Sequence, residues 1–343
     1  MLSSLTNMIV ELESQTGQWV FIGLSLLITI VLCFVAIPLT TDLMVNHAAG
    51  LAGRWFGPKF RTLVINASTN NPELAAMAVS LGMRRLGGWA NPLGSLGANC
   101  YLMFLVAPIW LVLTDLVRGR ADNVKRLVTL IRTEKRLVFW HVGMALFAVV
   151  CGNGALWLMR THSTEVAPEP IRDAVSSAAG QSVLTPPTDW TMYVALGVLV
   201  AGVLIMLLLE AGLKRRRPNL YTDIHDANHG HSLILFGVGT VGLIVSCWLM
   251  NALFLAWTEL YGEHLGRVLG TAVFAGLHYV LGALITSLPE LRVALGNYRR
   301  LTVPDLNTAL GSASYSNLTN LAICLLGLAL FAGLTWSGVS MPW

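Results

Sequence analysis

The sequence predicts an all-α integral membrane protein of about eight transmembrane helices, built as two related halves. Three observations carry that prediction. Hydrophobic residues make up 55% of the 343-residue chain and charged residues only 12%, against roughly 25% charged in soluble domains, and the mean hydropathy is +0.66. Several apolar stretches are long enough to cross ~30 Å of hydrocarbon. One polar motif also occurs twice, 217 residues apart, inside hydrophobic segments: Thr69-Asn70-Asn71-Pro72-Glu73-Leu74 and Thr286-Ser287-Leu288-Pro289-Glu290-Leu291. Leu93-Gly94-Ser95 follows the first glutamate at the interval by which Leu310-Gly311-Ser312 follows the second, and seven of these nine positions are identical.

In chain order, spans are expected near 18–40, 60–83, 92–116, 137–160, 190–213, 232–258, 268–296 and 306–336. The second and seventh are the least hydrophobic because each holds a Thr-x-x-Pro-Glu block. The first eighteen residues contain Glu11 and Glu13 but no Lys or Arg, so they are read as a surface segment and not as a signal peptide. Basic residues fall unevenly: Arg54, Lys59 and Arg61 after span one, seven between Arg118 and Arg136 after span three, Lys214–Arg217 after span five, and Arg292, Arg299 and Arg300 around the end of span seven. With those loops cytoplasmic, 17 of the 22 basic residues lie inside, and the positive-inside rule places both termini on the non-cytoplasmic side. The location expected is a bacterial inner membrane. The chain then divides into a five-span half (1–213), a cytoplasmic loop (214–231) and a three-span half (232–343). Spans two and seven, five crossings apart, run in opposite directions, so the repeat is inverted. Inverted repeats with broken helices at the bilayer midplane are a transporter plan.

An ionisable residue in a membrane helix is costly unless neutralised or bound, and so marks a functional site by default. Glu73 and Glu290, at equivalent positions, read as one shared cation site. Thr69 and Glu73 are four residues apart, as are Thr286 and Glu290, a spacing that puts each pair on one helical face. Pro72 and Pro289 remove a backbone donor and free the carbonyls four residues earlier. Ser95 with Asn99, and Ser312 with Ser316, repeat the four-residue spacing, while Gly94 and Gly311 admit close backbone approach. Two carboxylates and these neutral oxygens match the oxygen-rich shell, about 6–8 ligands, that calcium takes. The bland readings are a proline kink with a neutral carboxyl at either glutamate, and ordinary small-residue packing at Ser95 and Ser312. Asn70, Ser287, Asn317 and Asn320 are candidates for supporting contacts.

At these residues the chain resembles the cation/calcium exchanger superfamily, sodium/calcium exchanger type, whose two inverted repeats each carry a Gly-Thr-Ser-x-Pro-Glu helix followed by a Gly-Ser-Asn-x-x-Asn or Gly-Ser-Asn-x-x-Asp helix. The second copy, Thr286-Ser287-Leu288-Pro289-Glu290, matches closely. The first has Ala67-Ser68 before Thr69 and Asn70 in place of serine; Leu96 and Ala313 stand where the family has its first asparagine, and Ser316 where it has Asn or Asp. The likeness covers spans one to three and six to eight. It implies an exchanger-like fold lacking the last two helices of the family's ten, and alternating access. It also implies Glu73 and Glu290 as calcium ligands, with Thr69, Thr286, Ser95 and Ser312 around the calcium and sodium sites.

The function expected is antiport of calcium, or another divalent cation, against sodium or protons. The alternative is a non-transporting, exchanger-derived subunit of a larger membrane complex. Lipid, a second copy or other membrane subunits completing the short half are the partners expected, without nucleic acid or organic cofactor. No nucleotide loop, catalytic triad or haem signature appears, so enzymatic activity is not expected. His225, His229 and His231 with Asp223 and Asp226 could hold a transition metal or simply line a polar loop. The stretch 161–189 reads as a flexible linker, and Trp140, Trp157, Trp190, Trp257 and Trp336 as interfacial anchors. The five scattered cysteines are assigned to packing, as are His278 and Tyr279. Lys214–Arg217 reads as a topology signal touching headgroups.

Overall fold

A computed structural model describes residues 2–56, 70–166, 183–217, 220, 232–270 and 272–343. Among them seven helices are long and apolar enough to cross a membrane: Gln18–Ala48, Gly87–Val117, Lys135–Thr161, Trp190–Arg216, Leu233–Leu269, Val273–Tyr298 and Val303–Trp336. They correspond to seven of the eight expected spans. Of the remaining one, near 60–83, the described part is the short helix Asn71–Gly82. Its earlier residues, Thr69 included, lie outside the described set, as do His225, His229, His231, Asp223 and Asp226.

The helices follow from local sequence. α1 (Leu2–Thr16) precedes α2 (Gln18–Val31), which widens into a π-type turn at Leu32–Ala36 and continues as α3 (Ile37–Phe56). α1 sets Thr6 and Ile9 inward, and so is only partly a surface segment. Pro72 occupies the first turn of α4 (Asn71–Gly82), where its missing N–H costs nothing. α5 (Ala90–Tyr101), a π-type turn and α6 (Ala107–Val117) form the next span, followed by the basic α7 (Ala121–Thr133). α8 (Lys135–Thr161) and α9 (Trp190–Arg216) flank a stretch whose ends pair as a short hairpin, β1 (Thr164–Val166) with β2 (Val183–Thr185). The Asp189 carboxylate caps α9 by accepting from the Thr191 N–H at 2.9 Å, a bond that holds its pKa below the ordinary value.

The second half begins with α10 (Leu233–Leu269). The next span is interrupted: α11 (Val273–Leu277), a π-type turn at His278–Gly282, α12 (Ala283–Thr286), a step at Ser287, then α13 (Leu288–Tyr298) with Pro289 in its first turn. α14 (Val303–Trp336) completes the described chain.

Helices equivalent under the repeat pack on one another: α3 on α10, and α5 on α14. The α3–α10 crossing is close because Gly239 lies against the Met44 backbone, where an added Cβ would come within 2.7 Å of the amide nitrogen. The burial pattern is inverted relative to a soluble domain. Val117, Trp336 and Val268 are more than four-fifths exposed, whereas Asn70, Glu73, Asn91, Asn99, Asn251, Asn317 and Asn320 are wholly buried. Trp157, Trp190 and Trp336 sit on the outer face as anchors would, but Trp257 does not: it is buried against Phe254. All five cysteines are unbridged.

Contacts join the loops in two sets. Arg217 pairs with Glu134 at 2.7 Å, Arg292 with Asp42 at 3.2 Å, Ser232 N–H donates to His47, and Asn307 donates to the Leu220 carbonyl. Separately, the Pro342 carbonyl accepts from Leu86 N–H, Trp343 N–H donates to Leu184, and the Trp343 indole donates to Ser163 at 2.9 Å.

Candidate cation site

Four segments bring the predicted residues together in the interior: the start of α4, α5, the broken region of α12–α13, and the middle of α14. Gly94 explains how α5 reaches the broken helix. A Cβ there would stand 1.9 Å from the Tyr279 carbonyl oxygen, so the two backbones touch. One turn further along that contact, Ser95 Oγ lies 3.4 Å from Thr286 Oγ1 and 3.5 Å from the Ala283 carbonyl. Thr286 in turn donates to Gly282 O at 3.0 Å and to Asn91 Oδ1 at 3.4 Å. On the α14 side, Asn99 Nδ2 donates to Ser316 Oγ (2.9 Å) and Asn317 Oδ1 (3.1 Å), and Ser316 Oγ donates to Asn70 Oδ1 at 2.6 Å.

Glu73 and Glu290 are fully buried within this shell. All four of their carboxylate oxygens are without a hydrogen-bond partner, and the two acids act on one another electrostatically. Ser287 Oγ, Asn99 Oδ1, Asn91 Nδ2 and both amide atoms of Asn320 are likewise buried and unpaired. Native interiors satisfy the great majority of such atoms, so a cluster of them centred on two carboxylates is unusual chemistry for mere packing. Among the described residues no three His, Cys, Asp or Glu side chains gather. The ionisable content of the site is its two acids, and its other donors are neutral oxygens.

The arrangement differs from expectation in two respects. Thr286 and Glu290 fall in separate helical segments, α12 and α13, with Ser287 between them, and the Thr286 hydroxyl donates to Gly282 O and Asn91 Oδ1. Ser312, the mate of Ser95, is only half-buried and donates to Ala309 O of its own helix at 2.6 Å, not to the cluster. Three residues unassigned by spacing belong to the same interior. Asn91 accepts from Thr286, while Asn251 Oδ1 accepts from His278 Nε2–H at 3.1 Å and Asn251 Nδ2 donates to Cys247 O. Asn91-Pro92, a polar residue before proline just upstream of Leu93-Gly94-Ser95, was the one available signal.

Residues separated by the repeat offset meet each other. Asn99 bonds Ser316 and Asn317 Nδ2 lies 3.6 Å from Cys100 Sγ, each pair being 217 positions apart.

A bundle of apolar helices around a buried polar centre defines an all-α integral membrane protein. No protein-family model, curated protein or solved structure matches the chain.

Proposed function

We propose that the protein is a secondary antiporter exchanging calcium, or another divalent cation, for sodium or protons by alternating access, with Glu73 and Glu290 as the paired anionic ligands. The observation that carries this reading is the set of four buried carboxylate oxygens without hydrogen-bond partners. Two ionised acids side by side in a low-dielectric interior repel one another and lose hydration. One divalent cation neutralises both, as do two sodium ions or two protons, so the same pair can be discharged alternately by cargo and counter-ion. Neutral oxygens from Ser95, Thr286, Asn99 and Ser316 support coordination by a hard cation.

Two further features support alternating access. A contact between a residue and its own repeat mate is what a two-fold axis produces, and two such pairs meet near the site. A helix interrupted just before Pro289 is the kind of element on which inverted-repeat transporters place their ions. One set of loop contacts includes Arg217 and Arg292 and the other the C-terminal residues Pro342 and Trp343, a separation that supports placing the basic stretches and the C-terminal end on opposite faces.

The test is flux. Protein reconstituted in liposomes should accumulate calcium when a sodium or proton gradient is imposed, and Glu290→Gln should abolish it; uptake unchanged by Glu290→Gln refutes the assignment. The rival reading, a non-transporting subunit derived from an exchanger, is favoured by Asn70, Asn99 and Ser316 spending hydrogen bonds on one another. It predicts obligate co-purification with other membrane subunits and neither calcium flux nor calcium binding.

A further inference from the structure

We infer that a cavity at the junction of α8 and α9 is a binding site for the phosphate headgroup of an anionic phospholipid. The cavity, of about 300 Å³, is lined by Arg136, Leu137, Trp140, Leu213, Arg216 and Arg217. It lies at the first turn of one membrane-crossing helix and the last turn of another, so it stands at headgroup depth.

Its chemistry is divided. Leu137 and Leu213 are buried and form an apolar wall, suited to the start of an acyl chain. Three arginines, Arg136, Arg216 and Arg217, complete the lining. Only Arg217 has a carboxylate partner, Glu134 at 2.7 Å; among the described residues no carboxylate pairs with Arg136 or Arg216. Trp140 adds an indole N–H that is buried and has no acceptor among the described residues. Uncompensated arginines, an unused N–H donor and an apolar wall at the membrane surface together select a phosphodiester attached to lipid. Arginine forks bind phosphate oxygens in pairs, and basic pockets between membrane helices hold anionic headgroups. Free phosphate shares the headgroup chemistry but gains nothing from the leucines.

The test uses the full chain, delipidated in detergent. Its melting temperature is followed while phosphatidylglycerol, phosphatidylcholine or inorganic phosphate is added, and retained lipid is counted by native mass spectrometry. Phosphatidylglycerol should raise the melting temperature saturably, and the other two should not. Arg136→Gln and Arg216→Gln should each weaken the lipid effect about fivefold, and Trp140→Phe should weaken it while keeping the ring. Lys125→Gln with Arg126→Gln, on the exposed side of α7, should leave it unchanged. If a glutamine variant fails to fold, Arg136→Lys, which keeps the charge but loses the fork, should still show reduced affinity. Equal stabilisation by inorganic phosphate would overturn the lipid assignment. So would equal loss in the α7 double variant, which marks general surface attraction, or unaltered lipid binding in the Arg136 and Arg216 variants.

Discussion

Two buried polar clusters share the α14 helix, and they are built on opposite rules. Around His141 every polar group finds a partner: Nδ1 lies 2.7 Å from Ser314 Oγ, Nε2 lies 3.0 Å from Asn307 Oδ1, and Asn307 Nδ2 reaches the Leu220 carbonyl. A second ring contact, edge-on to Tyr315, fixes the imidazole. Around Glu73 and Glu290, on the same helix's neighbours, the amide and hydroxyl side chains are largely bonded while the carboxyl oxygens are not. A satisfied buried cluster specifies packing and repays its desolvation locally. A cluster whose most polar atoms are unsatisfied is stable only with something that binds them. What sets the Glu73–Glu290 cluster apart is therefore not burial but four carboxyl oxygens without partners.

That contrast can be broken or sharpened by substitution. The largest effect belongs to the acids. Glu73→Gln or Glu290→Gln removes half of the compensating charge from a buried ion and should cost about 3–5 kcal/mol of binding, roughly two to four orders of magnitude in calcium affinity by titration calorimetry. Gly94→Ala comes next. Its Cβ would collide with the Tyr279 carbonyl, forcing α5 from the broken helix at about 1–3 kcal/mol of stability, read as a lower melting temperature in detergent. Gly97→Ala, with nothing within 4 Å, should instead be neutral or stabilising by up to about 1 kcal/mol. His141→Ala should destabilise by about 1–3 kcal/mol, because Ser314 and Asn307 lose their partner, yet leave calcium affinity unchanged. A loss of calcium binding in His141→Ala would erase the distinction between the clusters. The smallest effect is expected at Ser312→Ala, within about 0.5 kcal/mol and without change in affinity, whereas Ser95→Ala should weaken binding measurably.

The sequence made legible those features that repeat or persist. Long apolar runs located the spans, and two glutamates at one offset in a doubled motif singled out the two buried, unpartnered carboxyls. Details set by helix rotation were not readable. Thr286 gives its hydroxyl to Gly282 O and Asn91 Oδ1, a choice among neighbours that the spacing to Glu290 does not show. Ser312 matches Ser95 in every neighbour that sequence can show, but its hydroxyl bonds back to its own helix, a choice open to any serine. Asn91, Asn251 and His278 are single polar residues in apolar helices, with no periodic partner to announce them; only packing reveals that they surround the same interior.

The most direct test of the central claim is equilibrium binding of radioactive calcium to the purified protein, which needs neither a gradient nor a partner to complete transport. The account predicts saturable binding of one ion per chain, displaced by sodium or by acidification, and lost in both Glu73→Gln and Glu290→Gln. Absence of saturable binding, or binding that survives in both variants, would contradict it.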